Sequence, residues 1–247
     1  MLKAKHIHIN ETDSTNQWLR SYMPESEDEM TVVTADYQTA GRGQGTNTWE
    51  SQAGMNLLFS VLIRPHVLPA KEQFILSMAN ALALQEVLSN LTDGISIKWP
   101  NDIYWNNRKL CGTLIETTLR CGYVERCIIG TGVNVNQREF LSDAPNPVSL
   151  WQILGHDTER ETLLQEMINQ MAIYINKVET GQWASIRQQY HNHLYRLDEI
   201  HPYLLPDGQW RDCRLLGVEN DGRLVLCPLD AAEKPLRFGF KEIKWNI

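Results

Sequence analysis

Thr31-Val-Val-Thr-Ala-Asp-Tyr37, the glycine-rich run 38–54 (QTAGRGQGTNTWESQAG) and the apolar run 55–63 (MNLLFSVLI) decide how this chain is read. The first is β-branched and bounded by polar residues. The third is almost continuously apolar and stops at Arg64-Pro65, so both predict strands, the second well buried. Between them lie Gly41, Gly43, Gly45 and Gly54, too many for a regular element, in a segment long enough to fold over a ligand.

Working outward, Ser14 and Gln17 have capping-box spacing ahead of a short helix over 16–23. Residues 74–88 (FILSMANALALQEVL) have no interior Gly or Pro and predict a buried helix. Strands follow over 94–99, 109–119 and 123–134, the last two forming a hairpin through Arg120-Cys121-Gly122. A second capping box, Thr158 with Glu161, opens a helix to about Glu179, and 183–194 predicts the next. From about Leu197 short strands are broken by Pro206-Asp207-Gly208 and Asn220-Asp221-Gly222, the pattern of a small β-barrel-like tail. The acidic cluster 25–29 reads as a solvated loop. Pattern alone gives a mixed α/β domain with a β-rich tail.

With 247 residues, 43% hydrophobic and 21% charged, the chain has an ordinary globular composition. A net charge of −7 argues against a general nucleic-acid surface. No apolar run reaches the roughly 18 residues of a membrane span, and the start lacks a signal peptide, which points to the cytoplasm. Five cysteines, an odd number without a C-x-x-C pair, suit neither a disulfide framework nor a zinc site and predict reduced, mostly buried thiols.

Four segments carry the chemistry: Asp13-Ser14-Thr15-Asn16; Tyr37-Gln38-Thr39-Ala40-Gly41-Arg42-Gly43; Lys98-Trp99-Pro100-Asn101-Asp102 with Arg108-Lys109-Leu110-Cys111-Gly112; and Gly130-Thr131-Gly132-Val133-Asn134-Val135-Asn136. In the second, glycines let backbone N–H groups approach an anion while Arg42 adds a forked cation, which makes a phosphate or carboxylate cradle. Asp102 follows Pro100, where a turn sets its carboxylate at a strand edge; the plain alternative is an Asx-type turn residue. Lys98 reads equally well as a surface charge ending a strand, and Trp49 as plain core.

In this order the segments resemble the biotin protein ligase family, from about Glu11 to Asn136, and the β-rich tail suits that family's C-terminal domain. The resemblance implies an α+β fold: a mixed sheet with flanking helices, of the class II aminoacyl-tRNA synthetase/biotin ligase type, over 1–196, and a small SH3-like β-barrel over 197–247. It implies an ATP-dependent ligase that forms biotinyl-5′-AMP and transfers biotin to a lysine of a biotin carboxyl carrier domain, of acetyl-CoA carboxylase or a related carboxylase. By the same resemblance Asp102, Lys109 and Arg42 are catalytic. Ser14, Thr15, Asn16, Gln38, Gly41, Arg42, Gly43, Gln44, Lys109 and Gly112 bind biotin, and Trp49, Lys98, Asn101, Gly132 and Asn134 bind ATP or the adenylate. Magnesium is expected on the ATP phosphates with no protein metal site, and a homodimer is left open.

The family loop often reads G-R-G-R-x-G-R-x-W. Here Gln44 and Asn47 stand at two of its arginine positions. Either Arg64 or Lys98 compensates, or the intermediate is held less tightly. The motifs begin about a dozen residues in, so no N-terminal helix-turn-helix module and no operator binding are expected. Two rivals remain: a lipoate ligase running the same acyl-adenylate chemistry, and a non-catalytic biotin-binding regulator.

Overall fold

Seven strands form one sheet in the order β1 (Lys3–Thr12), β2 (Glu29–Gln38), β3 (Leu57–Ile63), β7 (Tyr123–Val133), β6 (Arg108–Arg120), β5 (Asp102–Trp105), β4 (Ile95–Lys98). The computed structural model describes residues 3–26, 29–229 and 234–247. Only β1 and β2 run parallel; the other neighbours are antiparallel, so the sheet is mixed, as expected.

The apolar run forms an inner, buried strand, as its composition predicts. All seven residues of β3 are buried, and alternate side chains serve opposite faces. Leu57, Phe59, Val61 and Ile63 join the main core with helix α2 (Phe74–Ser89), while Leu62 packs in a smaller cluster with Leu19 of helix α1 (Thr15–Ser21), Val33 and Ile128. A lone polar residue on the α1 face, Ser60, is fully buried and hydrogen-bonded to that helix. α2 is buried almost all round because α4 (Arg160–Glu179) and α5 (Trp183–Asn192) cover the side that the sheet does not.

The hairpin turn between β6 and β7 is as predicted, with Cys121 and Gly122 both at positive φ (50° and 84°), the geometry whose twist matches antiparallel strands. Two local expectations are corrected. Ser14 stands at the N-cap of α1 but its side chain makes no capping bond. Glu159, not Thr158, caps α4, its carboxylate accepting from the N–H groups of Glu161 and Thr162. A complete capping box forms instead at Ser149 and Gln152, opening the short helix α3 (Leu150–Leu154). Strands β1 and β5 had no counterpart in the sequence reading, and part of the acidic cluster 25–29 lies outside the described residues.

The tail forms a second, antiparallel sheet in the order β11 (Leu236–Phe238), β10 (Leu224–Pro228), β9 (Trp210–Val218), β8 (Ile200–Leu204), β12 (Lys244–Trp245). Among the described residues no pairing joins β11 to β12, so the closed barrel implied by resemblance is an open sheet here. It is not detached: Tyr203, Leu215, Leu224 and Leu226 belong to the same apolar cluster as α2 and β3. Cys111, Cys127 and Cys213 are buried as expected, Cys227 is partly buried, and Cys121 is exposed in its turn. No helix of the described residues is long and apolar enough to cross a membrane.

Tyr190 is fully buried and donates its hydroxyl to the Pro100 carbonyl at 2.7 Å. Tyr190→Phe leaves that carbonyl without its partner and is expected to cost about 1–2 kcal/mol of stability in urea unfolding. An unshifted midpoint would refute the assignment of this bond as the turn's anchor.

Candidate active site

A cavity of about 790 Å³ lies over β6 and β7 under the glycine-rich loop. Because these strands are antiparallel, Lys109, Gly112 and Leu114 on one run beside Asn134, Gly132 and Gly130 on the other. The span from Lys109 to Leu114 is roughly 17 Å at the usual strand rise. The glycines are required: a methyl at Gly132 would collide with the Trp49 indole, and one at Gly130 with the Asn16 amide.

At the Gly130 end sits a polar network that starts at the N-terminus of α1. Gln38 Oε1 accepts from the Thr15 N–H (2.8 Å) and hydroxyl (3.0 Å); Thr15 Oγ1 meets Ser60 Oγ (2.7 Å), which donates to Asn16 Oδ1 (2.6 Å). Asn16 Nδ2 in turn donates to Glu116 at 3.1 Å. Ser14 and Gln38 border the cavity beside this network, and so do Arg42, Gly43 and Gln44 of the loop. Arg42 lies 3.7 Å from Glu116, which also pairs with Arg20. Gly41 is buried behind the wall rather than on it; its carbonyl accepts from the Trp49 N–H at 3.0 Å and closes the loop with the Gly43–Asn47 bond.

At the other end Lys109 pairs with Asp102 at 2.7 Å, and its ammonium lies 5.7 Å from the Trp49 ring centre. Asp102 is therefore the first residue of a strand, set by the β4–β5 turn, rather than a plain Asx turn. Asn101 borders the cavity but spends its amide on Ser77 Oγ of α2 at 3.1 Å. Asn134 donates Nδ2 to the Val148 carbonyl at 3.1 Å, while its Oδ1 is buried without a partner. The sequence reading had both groups of this amide available; the structure leaves only the acceptor. Trp49 Nε1 and Thr131 Oγ1 are also buried and unpartnered on this wall, and such groups cost about 1–3 kcal/mol each until something pairs them.

Neither cation proposed as compensation reaches the cavity. Arg64 and Lys98 are absent from its walls. Lys98 instead points between Tyr104 and Trp245, 5.3 and 5.0 Å from their ring centres. Burial pushes its ammonium down to about 8; Asp102 opposes the shift, and Lys109 and Arg196 add to it. The sequence reading also missed a wall formed by 140–147. Glu50 holds it, accepting from the N–H groups of Leu141 (2.8 Å) and Ser142 (2.9 Å). Burial alone would raise the Glu50 carboxyl, yet hydrogen bonds from Ser142, Leu141 and Gln137 outweigh it and hold the group below its usual range.

The family model described as the biotin/lipoate A/B protein ligase family matches residues 9–134. The chain belongs to that family. It is 35% identical to the bifunctional ligase/repressor BirA of Escherichia coli over 64% of this chain and 50% of the relative, so it matches about half the length of that protein. It is 30% identical to the biotin--[acetyl-CoA-carboxylase] ligase of Paracoccus denitrificans over 87% of this chain and 91% of the relative. Among solved structures, the biotin protein ligase from Aquifex aeolicus in complex with biotin and ATP is similar at a TM-score of 0.79 and 26% identity, covering 97% of both chains.

Because Lys98 titrates near 8 when folded and near its usual 10.5 when unfolded, the unfolded chain binds more protons between those values. This group's contribution is full above the upper value and is lost as pH falls to about 8. Lys98→Met is therefore expected to stabilise the protein most at and below pH 8, with the gain shrinking towards pH 10. A gain independent of pH in urea titrations would show that Lys98 is not buried as a cation.

Proposed function

We propose that this chain is a biotin protein ligase: it joins biotin to ATP as biotinyl-5′-AMP and passes the biotinyl group to a lysine of a carboxylase carrier domain. The observation that carries this reading is the order of groups along one cavity. A hydrogen-bonding network suited to a neutral ureido ring comes first, then a glycine floor that admits a thin aliphatic chain, then the Lys109 ammonium for a carboxylate. An unpartnered acceptor, Asn134 Oδ1, follows for the amino edge of adenine.

The carboxylate must approach the α-phosphate of ATP, and two anions ~4 Å apart repel by about 4 kcal/mol at an effective dielectric near 20. Lys109 supplies fixed positive charge where that repulsion arises, and Arg42, which rests beside Glu116 at the opposite end, would join it by movement of the glycine-rich loop. The Lys109–Asp102 pair is partly exposed, so its net strength is only about 0–1 kcal/mol and an incoming carboxylate can take over the ammonium. Asp102 is then released to accept a proton from the acceptor lysine, which is otherwise mostly protonated at neutral pH. A magnesium ion would be carried by the nucleotide phosphates, where it offsets their charge.

In the same reading residues 1–196 are the catalytic domain and 197–247 the SH3-like tail, whose five short antiparallel strands support the assignment. The partner is a biotinyl domain, with no nucleic acid. Consumption of ATP fits a cytoplasmic setting, and a homodimer is left open.

Asp102→Ala is expected to slow transfer to an acceptor domain at least ~100-fold while largely sparing biotin binding. Lys109→Ala should reduce biotin-dependent pyrophosphate exchange by a comparable factor. Calorimetry with biotin and mass spectrometry of the acceptor, run with lipoate in parallel, read both. Addition of lipoate alone would replace biotin as substrate, and binding without transfer would make the chain a regulator.

A further inference from the structure

The loop over the cavity lacks two of the family's arginines, and the structure brings a different cation to it from the far end of the chain. Lys241 lies in the turn between β11 and β12, and its ammonium donates to the Gln44 carbonyl at 2.9 Å. The loop is shaped to receive it. Gly45 adopts φ 70°, and a Cβ there would lie 2.5 Å from Lys241 Nζ. Lys241 itself sits at φ 64°, a left-handed conformation that a lysine adopts at a cost.

The turn that carries Lys241 is itself anchored. Phe240 packs on Trp99 (ring centres 5.2 Å apart) and on Phe74 (6.0 Å), and Glu242 accepts from the Gly239 N–H at 2.7 Å. Trp99 also donates to the Gly222 carbonyl of the tail at 2.8 Å. The tail is thus fixed to the strand turn that carries Asp102, and from there Lys241 reaches the loop that carries Arg42.

We propose that Lys241 is a positioning residue: it latches the glycine-rich loop from the C-terminal sheet, keeps the cavity closed over the acyl-adenylate, and does so in place of the cations missing at Gln44 and Asn47. Lys241 does not border the cavity, so it acts through the loop backbone and not by touching the ligand. The retention of an adenylate rests on the ligase reading above; the latch itself does not.

The test uses the full-length protein with two readouts. An arginine-specific protease, whose cleavage is indifferent to lysine, reports loop opening as the rate of cutting after Arg42 without ligand. Dissociation of the enzyme-formed adenylate reports retention. Lys241→Ala and Lys241→Met keep the turn's Cβ and remove the charge, so both readouts should rise about five- to tenfold, and Lys241→Arg should stay within about twofold of wild type. Unchanged cleavage in both neutral variants overturns the latch. Faster adenylate loss with unchanged cleavage also overturns it, since Lys241 would then act on the ligand directly. If wild type forms no adenylate the ligase reading fails, and cleavage after Arg42 alone still decides the latch.

Discussion

Three hydrogen bonds, two of them buried and one partly so, grip the turn at residues 99–102, and each comes from a different part of the molecule. Trp99 donates to Gly222 of the tail, Pro100 accepts from Tyr190 of α5, and Asn101 donates to Ser77 of α2. Buried polar groups left unpaired are costly, so the turn has one arrangement in which all three are satisfied. Asp102 follows directly and inherits that placement. The catalytic carboxylate of the proposed reaction is thus set by helices and a second sheet that otherwise stand apart from the cavity.

Much of the scaffold could be read from sequence because its signals are local. The apolar runs of β3 and α2 and the Cys121-Gly122 turn carry their structure within a few residues. β1 was missed because it is an edge strand whose apolar period is short, only Ile7 and Ile9 between the exposed His6, His8 and Asn10. β5 was hidden by its four-residue length just after Pro100. Thr158 and Glu161 have the right spacing for a capping box, but Glu159 competes for the same N–H groups with a charged acceptor and wins them.

The cavity was legible as a set of segments and less so as a set of atoms. Of the sixteen positions expected by resemblance, fourteen border the cavity and Gly41 and Lys98 do not. Ser60 left only a weak trace, a single hydroxyl inside an apolar run. The wall at 140–147 left none, since its position depends on the Glu50 carboxylate some ninety residues earlier in the chain. Lys98 is the exception: a conspicuous cation in a conspicuous motif that pairs in register with Asp102 on the same side of the sheet, yet whose ammonium is taken up by the rings of Tyr104 and Trp245 and does not line the cavity.

The bare Asn134 carbonyl has a consequence for which nucleotide the cavity would accept. Its amide nitrogen is already committed to Val148, so the residue cannot rotate to offer a donor without breaking a buried bond. A purine bearing an amino group there gains a partner. One bearing a keto oxygen sets two lone pairs against each other in a space closed to water. Choice between the two bases would then be made by exclusion, at a single oxygen whose freedom to adapt was spent in folding.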